Sequence, residues 1–136
     1  FLFEFKFKIR DAITCTKNIL TTIDLGHLRI CKTQSYGEPI AHGPLILAIA
    51  GGLQCLSGIN DGTIVAMTGL DEWRMHLPVK AGDTIHAVIT PKIKKLTSSG
   101  IKGIVTCDRL VINQRGETVH SMVISNMYKC KSHQPQ

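Results

Sequence analysis

Aromatic residues are scarce: one Trp, two Tyr and four Phe make up 5% of this 136-residue chain. Such a chain offers few platforms on which bases could stack, and it carries no helix-turn-helix, zinc-finger or RNA-binding signature. Nucleic acid is therefore not the expected partner. No apolar run approaches the roughly 20 residues of a membrane span, and Gly51, Gly52 and Gln54 interrupt the longest one. A secretory pattern is missing too, because Phe3, Phe5, Phe7 and Ile9 alternate with Glu4, Lys6 and Lys8 instead of forming a continuous apolar stretch. The five cysteines (Cys15, Cys31, Cys55, Cys107 and Cys130) are odd in number and form no CxxC pair. They read as reduced thiols of a cytoplasmic protein, without a zinc framework. No two histidines share helical ligand spacing beside a carboxylate, so no metal is expected. A serine nucleophile elbow and a phosphate loop are also lacking.

What is present fits a single domain over residues 1–136. The hydrophobic content of 43% is ordinary for a globular core. The alternation over residues 3–9 predicts a half-buried strand, and Thr16 could cap a short helix reaching residue 25. Asn60-Asp61-Gly62 reads as a turn, followed by four β-rich runs over 63–75, 83–96, 101–113 and 117–128. Ser98-Ser99-Gly100 and Gln114-Arg115-Gly116 punctuate the later runs as hairpins. Residues 132–136 read as a frayed tail. One apolar helix among long antiparallel strands makes the expected class α+β.

Acidic residues are outnumbered 10 to 16 by Lys and Arg, which leaves a net charge of +6. The densest basic cluster is Lys92, Lys94, Lys95 and Lys102, around the Ser98-Ser99-Gly100 turn. These lysines either guard a strand edge against unwanted pairing or attract a phosphate-bearing ligand.

The most informative stretch runs from Ser35 to Leu53, SYGEPIAHGPLILAIAGGL. Pro39 and Gly43 punctuate a loop, Pro44 suits the first helical turn, and Gly58 sits where a helix commonly stops. From Leu45 to Leu56 almost every side chain is apolar or small, so the helix is expected to be wrapped on all sides, with Cys55 inside it. The first N–H groups of a helix lack internal partners. Gly43 has no side chain to shield its N–H and Pro44 has no N–H, so Gly43 is placed to donate to a carbonyl oxygen. The plainer reading is a helix start with no further role.

The segment Tyr36-Gly-Glu-Pro-Ile-Ala-His-Gly43 resembles the helix start of the MaoC-like dehydratases, the hot-dog family that includes the (R)-specific enoyl-CoA hydratases. Leu77-Pro-Val-Lys-Ala-Gly-Asp-Thr-Ile85 is similar to the family's P-V-x-x-G-D-x-(I/L) strand opening. Val111-Ile-Asn-Gln-Arg-Gly-Glu-Thr-Val119 resembles its N-Q-x-G-E-x-V hairpin. The three occur in the family's order and cover the chain from about residue 34 to 128. The resemblance implies a long antiparallel sheet wrapped around one central apolar helix. It also implies a homodimer with a continuous sheet and a site at the interface.

It further implies chemistry on an acyl-CoA: hydration of a trans-2-enoyl thioester to the (R)-3-hydroxyacyl thioester, or the reverse. The coenzyme A thioester is then substrate, and no cofactor is implied. The family's Asp and His, in a G-D-x-N-P-(I/L)-H-x-D motif, activate water. Here the matching segment is Ile23-Asp-Leu-Gly-His-Leu-Arg-Ile-Cys-Lys-Thr-Gln34, several residues shorter and without Asn-Pro. It leaves His27 as the expected base, Asp24 as its partner and Gly43 as the donor to the thioester oxygen. By the same resemblance His42, Pro44 and Trp73 would lie against the substrate, with His42 closing the loop by hydrogen bonds. Lys94 and Lys95 would meet the coenzyme A phosphates. Met75 stands where the family has an aromatic, and Gly51 where its helix often carries a hydroxyl. His86 and His120 read as surface or core residues. Two other readings stay open: a hot-dog domain that binds acyl thioesters or supports a partner without turnover, and a thioesterase. The last usually needs a carboxylate near the central helix, and residues 45–56 offer none.

Overall fold

The computed structural model describes residues 7–8, 35–38 and 40–130. The elements are β1 (Phe7–Lys8), α1 (Gly43–Leu56), β2 (Ile64–Met75), β3 (Thr84–Leu96), β4 (Lys102–Asn113) and β5 (Thr118–Lys129). The short helix expected over 16–25 and the tail at 132–136 lie outside the described residues. Of the strand expected over 3–9, the described part is Phe7–Lys8.

All five strands form one antiparallel sheet in the order β1-β3-β4-β5-β2. The turn residues set its hairpins. Gly100 has φ +69° between β3 and β4, and Gly116 has φ +79° between β4 and β5. The second hairpin is locked by side chains: Asn113 Oδ1 accepts from the N–H groups of Arg115 and Glu117, both at 3.0 Å, while its Nδ2 donates to Glu117 Oε2 at 2.8 Å. The Asn-Gln-x-Gly-Glu motif is thus first of all a turn device. Pro91 sits where β3 shifts register against β4, so its missing N–H removes no ladder bond from a regular stretch.

Helix α1 lies across this sheet. Ile46, Ala50 and Leu53 pack on Ile85 and Ala87 of β3, Val111 of β4 and Val119, Met122 and Ile124 of β5, with Val79 closing the end. Burying each large aliphatic contributes about 1.5–3 kcal/mol, so this interface dominates the folding energy. The expectation of a helix wrapped on all sides needs correction. Pro44, Ala48, Gly52, Cys55 and Leu56 are exposed, because the sheet of one protomer curls around only one side of α1. Cys55 therefore faces outward, not into the core. No helix among the described residues is long and apolar enough to cross a membrane.

The β2–β3 connection carries the other structural motif. Asp83 is buried and accepts from Lys80 N–H at 2.9 Å and Gln114 Nε2 at 2.7 Å, with Arg115 at 3.4 Å. Burial alone would raise the Asp83 pKa, but these hydrogen bonds and the Arg115 charge outweigh it and hold the carboxyl below its ordinary value. A lowered folded pKa means that the stabilisation is present above the unfolded value of about 4 and is lost as pH falls through the folded one. Asp83→Asn should therefore lower the Tm at pH 7, and the gap to the parent should close as thermal melts are taken from pH 5 down to pH 2.

Candidate functional site at the helix start

The start of α1 is fixed by backbone bonds. Ala41 N–H donates to the Val79 carbonyl at 2.7 Å, and Ile40 forms an isolated bridge with Lys80. His42 is extended (φ −63°, ψ 133°), and its carbonyl accepts from Leu45 N–H at 3.0 Å and Ile46 N–H at 3.4 Å. Gly43 N–H is left over. Among the described residues no acceptor meets it, so it points out of the helix with the positive end of the dipole behind it.

The His42 side chain makes no capping hydrogen bond and is exposed. Among the described residues the loop is tied by the backbone bond from Ala41. Pro44 is in the first helical turn and is exposed as well.

Met75, at the end of β2, forms the wall opposite. Its Sδ occupies the place where a side chain on residue 43 would begin. A methyl at 43 would have to displace that sulfur, which belongs to the far end of an exposed, flexible side chain. Met75 pairs in register with His120, His120 with Val111, and Val111 with Ala87, so one row across the sheet marks the helix start.

Trp73 lies in this wall through an irregularity. The β2–β5 register shifts between Asp71 and Arg74, and Glu72 takes φ +49°, the only non-glycine positive φ among the described residues. Such a bulge re-aims the neighbouring side chain at a cost of order 1–3 kcal/mol. Trp73 turns inward, packs on the core and donates Nε1–H to His120 Nδ1 at 3.3 Å, the two rings tilted by 47°. Its N–H is therefore spent on His120, and Trp73 can meet a ligand only with its apolar ring.

His120 is 3% exposed, and burial, helped by the nearby His76, holds its pKa below the ordinary histidine value. It is neutral, with its proton on Nε2 because Nδ1 accepts from Trp73. His76 contacts Ser121 Oγ at 2.7 Å on the exposed side. His86 is half-buried in β3 opposite Ile112.

His27 and Asp24 lie outside the described residues. Lys94 and Lys95 are in β3, seven and eight residues beyond Ala87, which at about 3.3 Å per residue puts them about 25 Å along the strand from the helix-start row. Within one protomer they are not gathered with Gly43.

A second polar group lies under the far half of α1. Arg109 of β4 is 4% exposed, and its Nη2 donates to Gln54 Oε1 of the helix, while its Nε has no partner among the described residues. Burial lowers its pKa against weak opposing support from Cys107, Cys55 and Tyr128. Nothing in the composition of β4 signals that its central arginine faces the helix. The alternation becomes readable only once Cys107 and Val111 are known to be buried on the same side.

The Gly43–Met75 contact can be tested by paired substitution. Gly43→Ala should lower the Tm by no more than about 2 °C, because the new methyl displaces only the flexible end of Met75, and adding Met75→Ala should remove that loss. Equal Tm losses for Gly43→Ala in both backgrounds would show that the sulfur is not the obstacle.

No family model and no curated protein sequence matches the chain. Solved structures do. A monoamine oxidase regulatory protein from Archaeoglobus fulgidus superposes with a TM-score of 0.81 at 27% identity, covering 94% of this chain and 87% of that one. A MaoC-like dehydratase from Rhodospirillum rubrum gives 0.77 at 22% identity, covering 94% and 89%. An (R)-hydratase from A. caviae, described as involved in PHA biosynthesis, gives 0.68 at 19% identity, covering 96% and 95%. The motif order and the architecture agree: this chain is a hot-dog domain that groups by fold with the MaoC-like dehydratases and (R)-hydratases.

Proposed function

We propose that the chain binds an acyl-CoA thioester at the start of α1 and interconverts trans-2-enoyl and (R)-3-hydroxyacyl forms. The observation that carries this reading is the Gly43 N–H, held rigidly by the Ala41–Val79 bond and free of any acceptor among the described residues. In the hydration direction a base takes a proton from water and the hydroxyl oxygen adds to C3. Negative charge then builds on the thioester oxygen, and C2 is protonated as that charge collapses. The Gly43 N–H and the helix dipole stabilise the oxygen where the charge develops, an interaction of a few kcal/mol in a site that excludes water. His27, with Asp24 as partner, is the base in this scheme. His120 is not, since its neutral ring is engaged by Trp73 inside the wall. Hydrolysis of the thioester fits less well, because α1 bears no carboxylate to activate water.

The second reading, an acyl-thioester binder without turnover, has one observation in its favour: Met75 rests against Gly43, where a substrate would dock. Crotonyl-CoA separates the three. Loss of the enoyl absorbance means hydratase, release of free thiol means thioesterase, and binding without either means a binder. In the hydratase case His27→Ala should cut turnover by at least about a hundredfold with the fold intact. Undiminished hydration by that variant would remove His27 from the mechanism.

We also infer a homodimer. The outer edge of β2 runs for 12 residues without a strand beside it among the described ones, and Val65 and Met67 on it are exposed. An open edge of that length invites pairing. Among the structural neighbours, HadBC and ChsH1-ChsH2 are described as two-component complexes, so an unlike partner is the competing arrangement. Sedimentation of the purified chain should show a dimer at micromolar concentration, whereas a folded monomer there would point to the unlike partner or to none.

A further inference from the structure

The end of the β3–β4 hairpin carries both lysines and large apolar residues. Ile93, Leu96 and Ile101 are 62%, 63% and 70% exposed, and Lys92, Lys94, Lys95 and Lys102 surround them. Protection of an edge strand accounts for the lysines and for Pro91, since the described part of β1 pairs with the first two residues of β3. It does not account for three aliphatics held in water.

Their directions matter. Ile93 pairs with Thr106, which bonds Ser125 Oγ at 2.9 Å on the sheet's outer side, while Leu96 pairs with the buried Gly103 on the side facing the helix. Ile101 leaves from the turn itself. This tip is well tied: Thr97 N–H reaches the Lys102 carbonyl at 2.9 Å, Gly100 N–H reaches the Thr97 carbonyl at 2.9 Å, and Cys130 N–H reaches the Ile101 carbonyl at 3.0 Å. The aliphatics therefore radiate from a fixed point in three directions. A flat protein partner would cover one of them and leave the others wet, whereas a fluid interface surrounds them all.

The charge is equally one-sided. Among the described residues Asp108 is the acid at the tip's base, and Lys92 engages it at 3.0 Å. Lys94 and Lys95 point to opposite faces and have no such partner among the described residues. They also stand about 25 Å from the helix start, as the register sets.

We propose that the β3–β4 tip docks the protein on an anionic lipid bilayer, with Ile93, Leu96 and Ile101 entering the headgroup–acyl boundary and Lys94, Lys95 and Lys102 meeting the lipid phosphates. This combination of apolar insertion and cationic attraction is what peripheral binding requires. It is independent of the acyl-thioester reading.

The test is co-sedimentation of the full chain with vesicles of phosphatidylcholine alone or with about 30% phosphatidylserine, at about 100 mM salt. Binding should need the anionic lipid and weaken as salt rises. Replacing all three aliphatics (Ile93→Ser, Leu96→Ser, Ile101→Ser) should lower the partition coefficient about a hundredfold. Lys94→Glu with Lys95→Glu, which leaves the apolar residues alone, should lower it at least about twentyfold. Circular dichroism checks that each variant is folded, and the lysine pair decides the matter if the serine variant is not. No binding at millimolar lipid, or binding that neither variant weakens, overturns the proposal. So does a smaller assembly on sedimentation of the serine variant, which would make the tip a protein contact. Displacement from vesicles by free coenzyme A would assign the lysines to substrate phosphates and overturn it as well.

Discussion

The site depends on one short backbone bridge. Ala41 and Ile40 are tied to Val79 and Lys80, and without that tie the loop before α1 would have no fixed direction. Val79 is itself buried against the helix core, and the Lys80 N–H is held by Asp83. Asp83 then reaches Gln114 in the β4–β5 hairpin, whose turn is locked by Asn113 and Glu117. Two hairpin-like connections and a helix start are thereby joined into one rigid end of the molecule. The orientation of a single unprotected N–H is its product, and such preorganisation is what makes a donor effective toward developing charge.

Around that donor the wall is built from residues that break the regular sheet. The bulge at Glu72 turns Trp73 inward, and the register shift between Val111 and Ile112 lets both Val119 and His120 be buried. His120 would be costly in an apolar core without a partner, and the Trp73 N–H satisfies one of its nitrogens. Met75 closes the row with a soft, three-bond side chain that can move aside at low cost. A stiff aromatic there would hold the wall shut or open, not both.

A protomer alone leaves three surfaces unfinished. One stripe of α1 made of small residues is exposed, the outer edge of β2 has no strand beside it among the described residues, and the β3–β4 tip holds aliphatics in water. The edge of β2 suits closure by a second chain. The third stands at the far end of the strands and differs in kind, because its apolar residues share no face.

Much of the fold was legible in the residues themselves. The apolar run after Pro44, the glycines at 58, 100 and 116 and the period-two alternation of β3 to β5 are local signals, and local backbone chemistry sets helices, turns and strands. The same holds for the open Gly43 N–H, since a helix start always has free N–H groups. What tertiary structure decided is which side chains meet. Trp73 and His120 are 47 residues apart in sequence, Met75 reaches Gly43 from another element, and Arg109 finds Gln54 across the core. Lys94 and Lys95 stand about 25 Å along the strand from the helix-start row, because strand register fixes a distance that sequence order does not display. A bulge shifts every residue beyond it to the other face, and bulges at Glu72 and Val119 leave no compositional mark.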